Sequence, residues 1–217
     1  MREPMPQPRQ PAAPRSNPAL QIADWRRQVA ALYARIRSAA DPAVGWEDWR
    51  RTRNALFAHH PQSPLPAADR AVFAGLPCYP YDPSLRFAVE LAPIADETEQ
   101  RMELGADGAV RLLPAGRTVG LEGPLGGELT VFWIAGYGGG LFLPFTDATS
   151  GRETFGGGRY LLDSIKGADL GMAEGRLVLD FNFAYHPFCV HSSDWTCPLA
   201  PAGNNLRQPV RGGERLA

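Results

Sequence analysis

The spacing of apolar residues changes period once, near residue 86, and that change leaves few architectures open to the chain. Before it, Ile22, Trp25, Val29, Leu32 and Ile36 recur at three- and four-residue steps, laying one apolar stripe along a helix while Arg26, Arg27 and Arg35 face water. Asp41-Pro42 starts a second helix whose buried side is Trp46, Trp49, Leu56 and Phe57, ending at a solvated His59-His60 before Pro61. A short third helix is expected over Ala67 to Phe73. After the change, Phe87, Val89 and Leu91 alternate with polar or small residues, and Arg101 to Leu104 pairs with Val110 to Leu113 across Gly105-Ala106-Asp107-Gly108. Further strands are expected at 117–122, 128–135, 141–145, 160–162 and 176–183. Parallel neighbours need long crossovers, and no helix-length segment separates these runs, so antiparallel pairing follows. The expected class is α+β, with N-terminal helices packed on a mainly antiparallel β-sandwich or partly closed β-barrel.

A chain of 217 residues is long enough to bury a core without disulfides or metal, and residues 21–217 are expected to form one domain, helical over 21–80 and β-rich over 84–217. Residues 1–20 carry proline at positions 4, 6, 8, 11, 14 and 18, a composition that favours solvated, extended backbone, and they are read as a disordered leader. They lack the apolar stretch of a signal peptide, and no apolar run approaches the ~20 residues that cross a bilayer. A cytoplasmic protein without membrane contact is expected. The formal net charge of -1 supplies no basic field for nucleic acid. Three cysteines, an odd number, fit reduced thiols better than a disulfide framework.

Polar chemistry is densest from Leu179 to Cys189, closed by Cys197-Pro198-Leu199. If 176–183 is a strand, Asp180 and Asn182 share one face and Leu179, Phe181 and Phe183 the other. Asp180, paired with an arginine, would stay ionised and serve as a positioning group or base; Cys189 would be a nucleophile if a histidine lowered its pKa. His186, Cys189, His191 and Cys197 lie within twelve residues and are all competent metal ligands, although their order lacks the Cys-x-x-Cys spacing of common zinc modules. A bonded pair is within reach of the spacing but opposed by a reducing cytoplasm, and the stronger reading is that the cysteines fill the core, since free cysteine is among the most buried residue types.

A second cluster, Asp147, Thr149, Glu153, Arg159 and Tyr160, reads as strand, turn and strand, with Gly156-Gly157-Gly158 just before the arginine. Backbone amides exposed by glycines, together with a guanidinium, make an anion cradle. The bland alternative is a hairpin in which Asp147 and Thr149 hydrogen-bond the turn and Arg159 pairs with Glu153 or Asp180.

The residues Asp147, Thr149, Gly151, Thr154, Gly158, Arg159, Tyr160, Asp180, Asn182, Ala184, Tyr185, Pro187 and Cys189 together resemble the bacterial and archaeal domain of unknown function family 1684. Arg70, Phe73, Gly75 and Leu76 resemble its N-terminal half. The resemblance implies no reaction. It implies that cysteines at positions 189 and 197 are usual, whereas Asn and Tyr usually stand at the places of His186 and His191.

The functional expectation is a pocket for a small anionic ligand or substrate, with hydrolytic or transfer chemistry at Asp180 or Cys189. Asp147, Thr149, Arg159, Tyr160, Asn182 and Tyr185 would bind the ligand. The alternative is a noncatalytic metal or interaction module on His186, Cys189, His191 and Cys197. Cofactor and oligomeric state are left open by the residues.

Overall fold

The computed structural model describes residues 17–95, 98–104 and 108–217. Helix α1 (Pro18–Ser38) begins inside the segment read as leader, because Asn17 accepts the Ala19 amide at 2.9 Å and Pro18 takes the first helical position, where no amide hydrogen is needed. Residues 1–16 lie outside the described residues. Helix α2 (Pro42–His59) is capped by Asp41 and buries Trp46, Trp49, Leu56 and Phe57 as the stripe predicts, and it buries Arg53 with them. Of the histidine pair, His59 is exposed as expected and His60 departs from expectation. His60 is buried, its ring edge-on to Trp25 and its Nε2 3.3 Å from Asp24. Helix α3 (Ala67–Ala71) is two residues shorter than its pattern suggests.

Eight strands follow among the described residues: β1 (Arg86–Ala92), β2 (Gln100–Glu103), β3 (Ala109–Val119), β4 (Thr130–Ile134), β5 (Gly140–Phe145), β6 (Arg159–Asp163), β7 (Met172–Ala173) and β8 (Arg176–Asp180). Every pairing is antiparallel, in the order β6-β5-β4-β3-β1-β8-β7 with β2 on β3. The sheet curls into a half-barrel, the partly closed form of the expected class. Past β8 the chain returns to the far edge, where Tyr185 and Tyr160 of β6 exchange backbone hydrogen bonds of 2.9 and 3.0 Å.

Besides the unexpected β7 and shifts of one or two residues at other strand ends, three larger differences from the sequence reading have a visible cause. The runs at 110–113 and 117–122 are one strand, β3, which shifts register between Pro114 and Gly116; a Cβ at Gly116 would stand 2.9 Å from that of Leu91, so the bulge needs glycine. β3 stops at Val119 because the Glu128 carboxylate accepts the amides of Gly120, Leu121 and Glu122, each at 2.8 Å, and turns the chain into the short helix α4 (Glu122–Leu125). β8 stops at Asp180, whose carboxylate accepts the Asn182 amide at 3.1 Å and starts a 3-10 turn over Phe181–Phe183.

The core has two main parts. Leu143, Phe145, Leu161, Leu179 and Phe181 fill the curl of the sheet. Leu32, Trp49, Phe132, Phe142 and Phe183 join sheet to helices, each large side chain contributing roughly 1.5–3 kcal/mol by burial.

Candidate functional site

Arg159, expected to floor a ligand pocket, instead holds the C-terminal segment. It is 1% exposed, and its guanidinium donates to Asp147 Oδ2 at 2.9 Å, to the Val210 carbonyl at 2.8 Å, and to the Gly212 and Glu214 carbonyls at 2.5 and 3.1 Å. Asp147 uses its other oxygen for the amides of Thr149, at 2.8 Å, and Val210, at 3.1 Å. Thr149 Oγ1 lies 2.9 Å from Thr154 Oγ1. Glu153 binds Tyr79 and Arg211, leaving Asp147 as the arginine's carboxylate partner. The glycines before Arg159 admit the protein's own chain: a Cβ at Gly157 would stand 2.7 Å from Leu199 Cδ2, and one at Gly158 2.5 Å from the Phe145 carbonyl oxygen.

Asp180 and Asn182 form a separate clamp. Asp180 is fully buried and accepts from Arg86 at 3.1 Å and from Asn182 Nδ2 at 2.8 Å; Asn182 in turn accepts the Asp82 amide at 2.9 Å and donates to the Asp82 carbonyl at 2.8 Å. Burial pushes the Asp180 carboxyl above its ordinary range, with Asn182 and Arg86 opposing the shift, and its oxygens are taken up by those two side chains. The turn that ends β8 also removes the shared strand face on which the pairing of Asp180 with Asn182 was argued. Neither clamp lines the cavity described next.

That cavity, of about 250 Å³, opens between α1, α2, β6 and the loop after Tyr185. Trp25, Val29 and Tyr33 come from α1, Arg53 from α2, and Tyr160, Tyr185 and Phe188 close the opposite wall. Of the expected ligand-binding residues, Tyr160 and Tyr185 are here. Arg53 is the polar end of the wall. It is 9% exposed, lies under the rings of Trp49, Phe57 and Tyr185, and donates Nε and Nη2 to Glu214 Oε1 at 2.8 and 2.6 Å. Glu214 Oε2 accepts the His186 amide at 2.7 Å. The Arg159 clamp therefore fixes the tail that carries the brace for Arg53. Tyr33 Oη and Trp49 Nε1 are buried without a hydrogen-bond partner; the indole approaches the hydroxyl outside hydrogen-bond geometry, and burial pushes the Tyr33 hydroxyl up to about 12.

The sequence reading missed Arg53, Tyr33 and Trp25. One signal was present for Arg53: it occupies the next step of the Trp46, Trp49, Leu56, Phe57 stripe, where a helix facing its core carries an apolar residue.

The four candidate metal ligands do not converge, and no group of three or more His, Cys, Asp or Glu among the described residues is placed to hold a metal ion. His186 Nε2 accepts the Phe155 amide at 3.3 Å, and burial brings that imidazole down to about 4. His191 packs edge-on against Phe57, with ring centres 5.0 Å apart, and burial lowers its pKa too. Cys189 and Cys197 are half-buried free thiols beside one another, and burial pushes Cys189 up to about 12. A thiol so shifted is protonated at neutral pH and is a poor nucleophile.

Fold and site define a helix-covered antiparallel half-barrel with an aromatic cavity between helices and sheet. The family described as "Protein of unknown function (DUF1684)" matches residues 71–215, and the chain belongs to it. It is similar to the solution NMR structure of an uncharacterized protein of Haloarcula marismortui, with 32% identity and a TM-score of 0.53 over 78% of this chain and 95% of that one. No curated protein matches the chain. The matched region begins at residue 71, so α1 and α2, which supply Trp25, Tyr33 and Arg53, precede it. No helix among the described residues is long and apolar enough to cross a membrane.

Proposed function

We propose that this protein binds a small, mostly apolar molecule with a hydrogen-bond acceptor at one end, a carboxylate or a carbonyl, in the cavity between α1 and β6. The observation that carries the reading is the cavity itself: a space of about 250 Å³ walled by tryptophan, tyrosine and phenylalanine with one guanidinium at its polar end. Aromatic walls supply affinity through buried area, and a few placed polar groups supply orientation. Arg53 is matched by Glu214 at 2.6 Å, and Lys166, also on the wall, by Asp163 at 2.8 Å. Each cation thus has its own carboxylate, so the site offers donors without a net positive field, and neutral as well as anionic acceptors suit it. The Tyr33 hydroxyl is a donor in want of a partner.

Binding without turnover is favoured over hydrolysis or transfer, because Cys189 is held protonated and His186 Nε2 is engaged by a backbone amide. Three free thiols suit a reducing compartment, and the cytoplasm is part of the proposal.

Calorimetric titration of untagged protein with decanoate and with 2-decanone tests the reading. One site for each, with a negative heat-capacity change, is expected. Val29→Trp, which fills the cavity from α1, should fold and abolish both. Absence of heat from both probes with the wild-type protein would remove the proposal, and heat from decanoate alone would restrict it to anions.

A further inference from the structure

Two thiols occupy a second hollow, of about 580 Å³, on the outer side of the cavity wall. Cys189 lies in the 3-10 turn Phe188–Val190, and Cys197 ends the loop that follows it; both are half-buried and both line this hollow. They are mutual neighbours on this hollow, and both lie near the Tyr160 hydroxyl. The strap between them, residues 190–196, includes Trp195 and Thr196, which wall the inner cavity and the outer hollow alike. Tyr160 Oη donates to the Pro198 carbonyl at 2.5 Å and so anchors the far end of the strap. The third thiol, Cys78, lines neither hollow and packs beneath α2.

We propose that Cys189 and Cys197 form a reversible disulfide under peroxide, fixing the strap that separates the two hollows. The oxidant is a hydroperoxide small enough to enter the outer hollow, such as hydrogen peroxide. Cys197, the thiol that borders both hollows, reacts first. Its sulfur bonds one peroxide oxygen, the O–O bond breaks, and the departing hydroxide takes the thiol proton and leaves as water, giving a sulfenic acid. The Cys189 thiol then passes its proton to the sulfenic oxygen as its sulfur attacks the sulfenic sulfur; the S–O bond breaks and a second water leaves, so no free Cys189 thiolate is required. Two thiols lose two electrons in all, and one hydrogen peroxide becomes two waters. The consequence for ligand access rests on the binding reading above, whereas the disulfide does not.

Reduced full-length protein is exposed to hydrogen peroxide, denatured, alkylated with iodoacetamide and weighed intact. The expected product has lost two hydrogens and carries one alkylated cysteine instead of three, mapped to Cys78, with full reversal by dithiothreitol. Cys189→Ser should trap a dimedone adduct at Cys197, and hydrogen exchange should slow at the amides of 190–196 only in the oxidised wild type. Three alkylated cysteines after peroxide, a sulfinic acid at Cys197 without a bond to Cys189, or unchanged exchange in the strap overturns the proposal. A failure of decanoate to bind the reduced protein touches the binding reading and leaves these readouts intact.

Discussion

Arg53 and Glu214, 161 residues apart in the chain, meet at 2.6 Å where α2 crosses the C-terminal segment, and this buried pair sets the polar end of the cavity. Removing one member of such a pair leaves an uncompensated buried charge, which costs about 3–5 kcal/mol, whereas removing both together is often nearly neutral. Glu214→Ala is therefore expected to lower unfolding free energy in urea by about that amount, while Arg53→Met with Glu214→Gln restores most of it, the glutamine still accepting the His186 amide. Equal losses in the single and double variants would contradict the pairing.

The Arg159 clamp acts one step further out. Arg159→Met strands Asp147 and three carbonyls and should cost about 3–5 kcal/mol. Arg159→Lys should recover only part, since an ammonium is a point charge and cannot reproduce the fork. The loss should appear locally as faster exchange of the Tyr79 amide, bonded to the Gly213 carbonyl at 2.9 Å, and of the Glu214 amide, bonded to Ala184 at 2.8 Å. Uniform acceleration across the sheet would mean that the arginine supports the whole fold rather than its tail.

Acid should destabilise the protein through His186. Its folded pKa, about 4, lies below the ordinary value of 6.5, so between those values the unfolded chain binds more protons and stability falls as pH falls, by about 3 kcal/mol in all before levelling below pH 4. Asp180, raised by burial, works in the opposite direction: its contribution declines as pH rises from about 4 toward its folded value. The two are separated by subtraction. The difference between wild-type and His186→Asn stability curves should slope between pH 4 and 6.5, and a flat difference would show that the imidazole does not titrate with unfolding.

Tyr33→Phe separates stability from binding at one atom. The hydroxyl is buried without a partner, so its removal should leave stability unchanged or raise it by about 1 kcal/mol. Decanoate, which the hydroxyl would meet, should bind about tenfold more weakly, equivalent to roughly 1.4 kcal/mol. A stability loss with unchanged decanoate affinity would place the hydroxyl in the fold and out of the site.

Much of the architecture was legible because it is written in local periods. The three- and four-residue steps of α1 and α2, the Asp41-Pro42 start and the antiparallel strands all depend on neighbours within a few positions. Errors at strand ends fell where a side chain captured backbone amides that the period alone assigns to a strand: Glu128 gathering three amides to end β3, or Asp180 capping a turn to end β8. The polar clusters were found but given the wrong work, since Asp147 with Arg159 and Asp180 with Asn182 satisfy buried backbone rather than face a ligand. Asp147 and Arg159 are close in sequence, yet the tail that consumes their hydrogen bonds begins near residue 210. No local pattern announces that. Arg53 was legible in principle as a charge on an apolar stripe, whereas its partner Glu214 had no local mark.

The central claim, that the cavity beside Arg53 receives a small apolar molecule, is tested most directly by amide chemical shifts of the labelled protein during titration with decanoate. Saturable shifts should cluster at Val29, Tyr33, Arg53, Tyr185 and Trp195 and vanish in Val29→Trp. Shifts that scatter over the outer sheet, or persist unchanged in the filled variant, would contradict it.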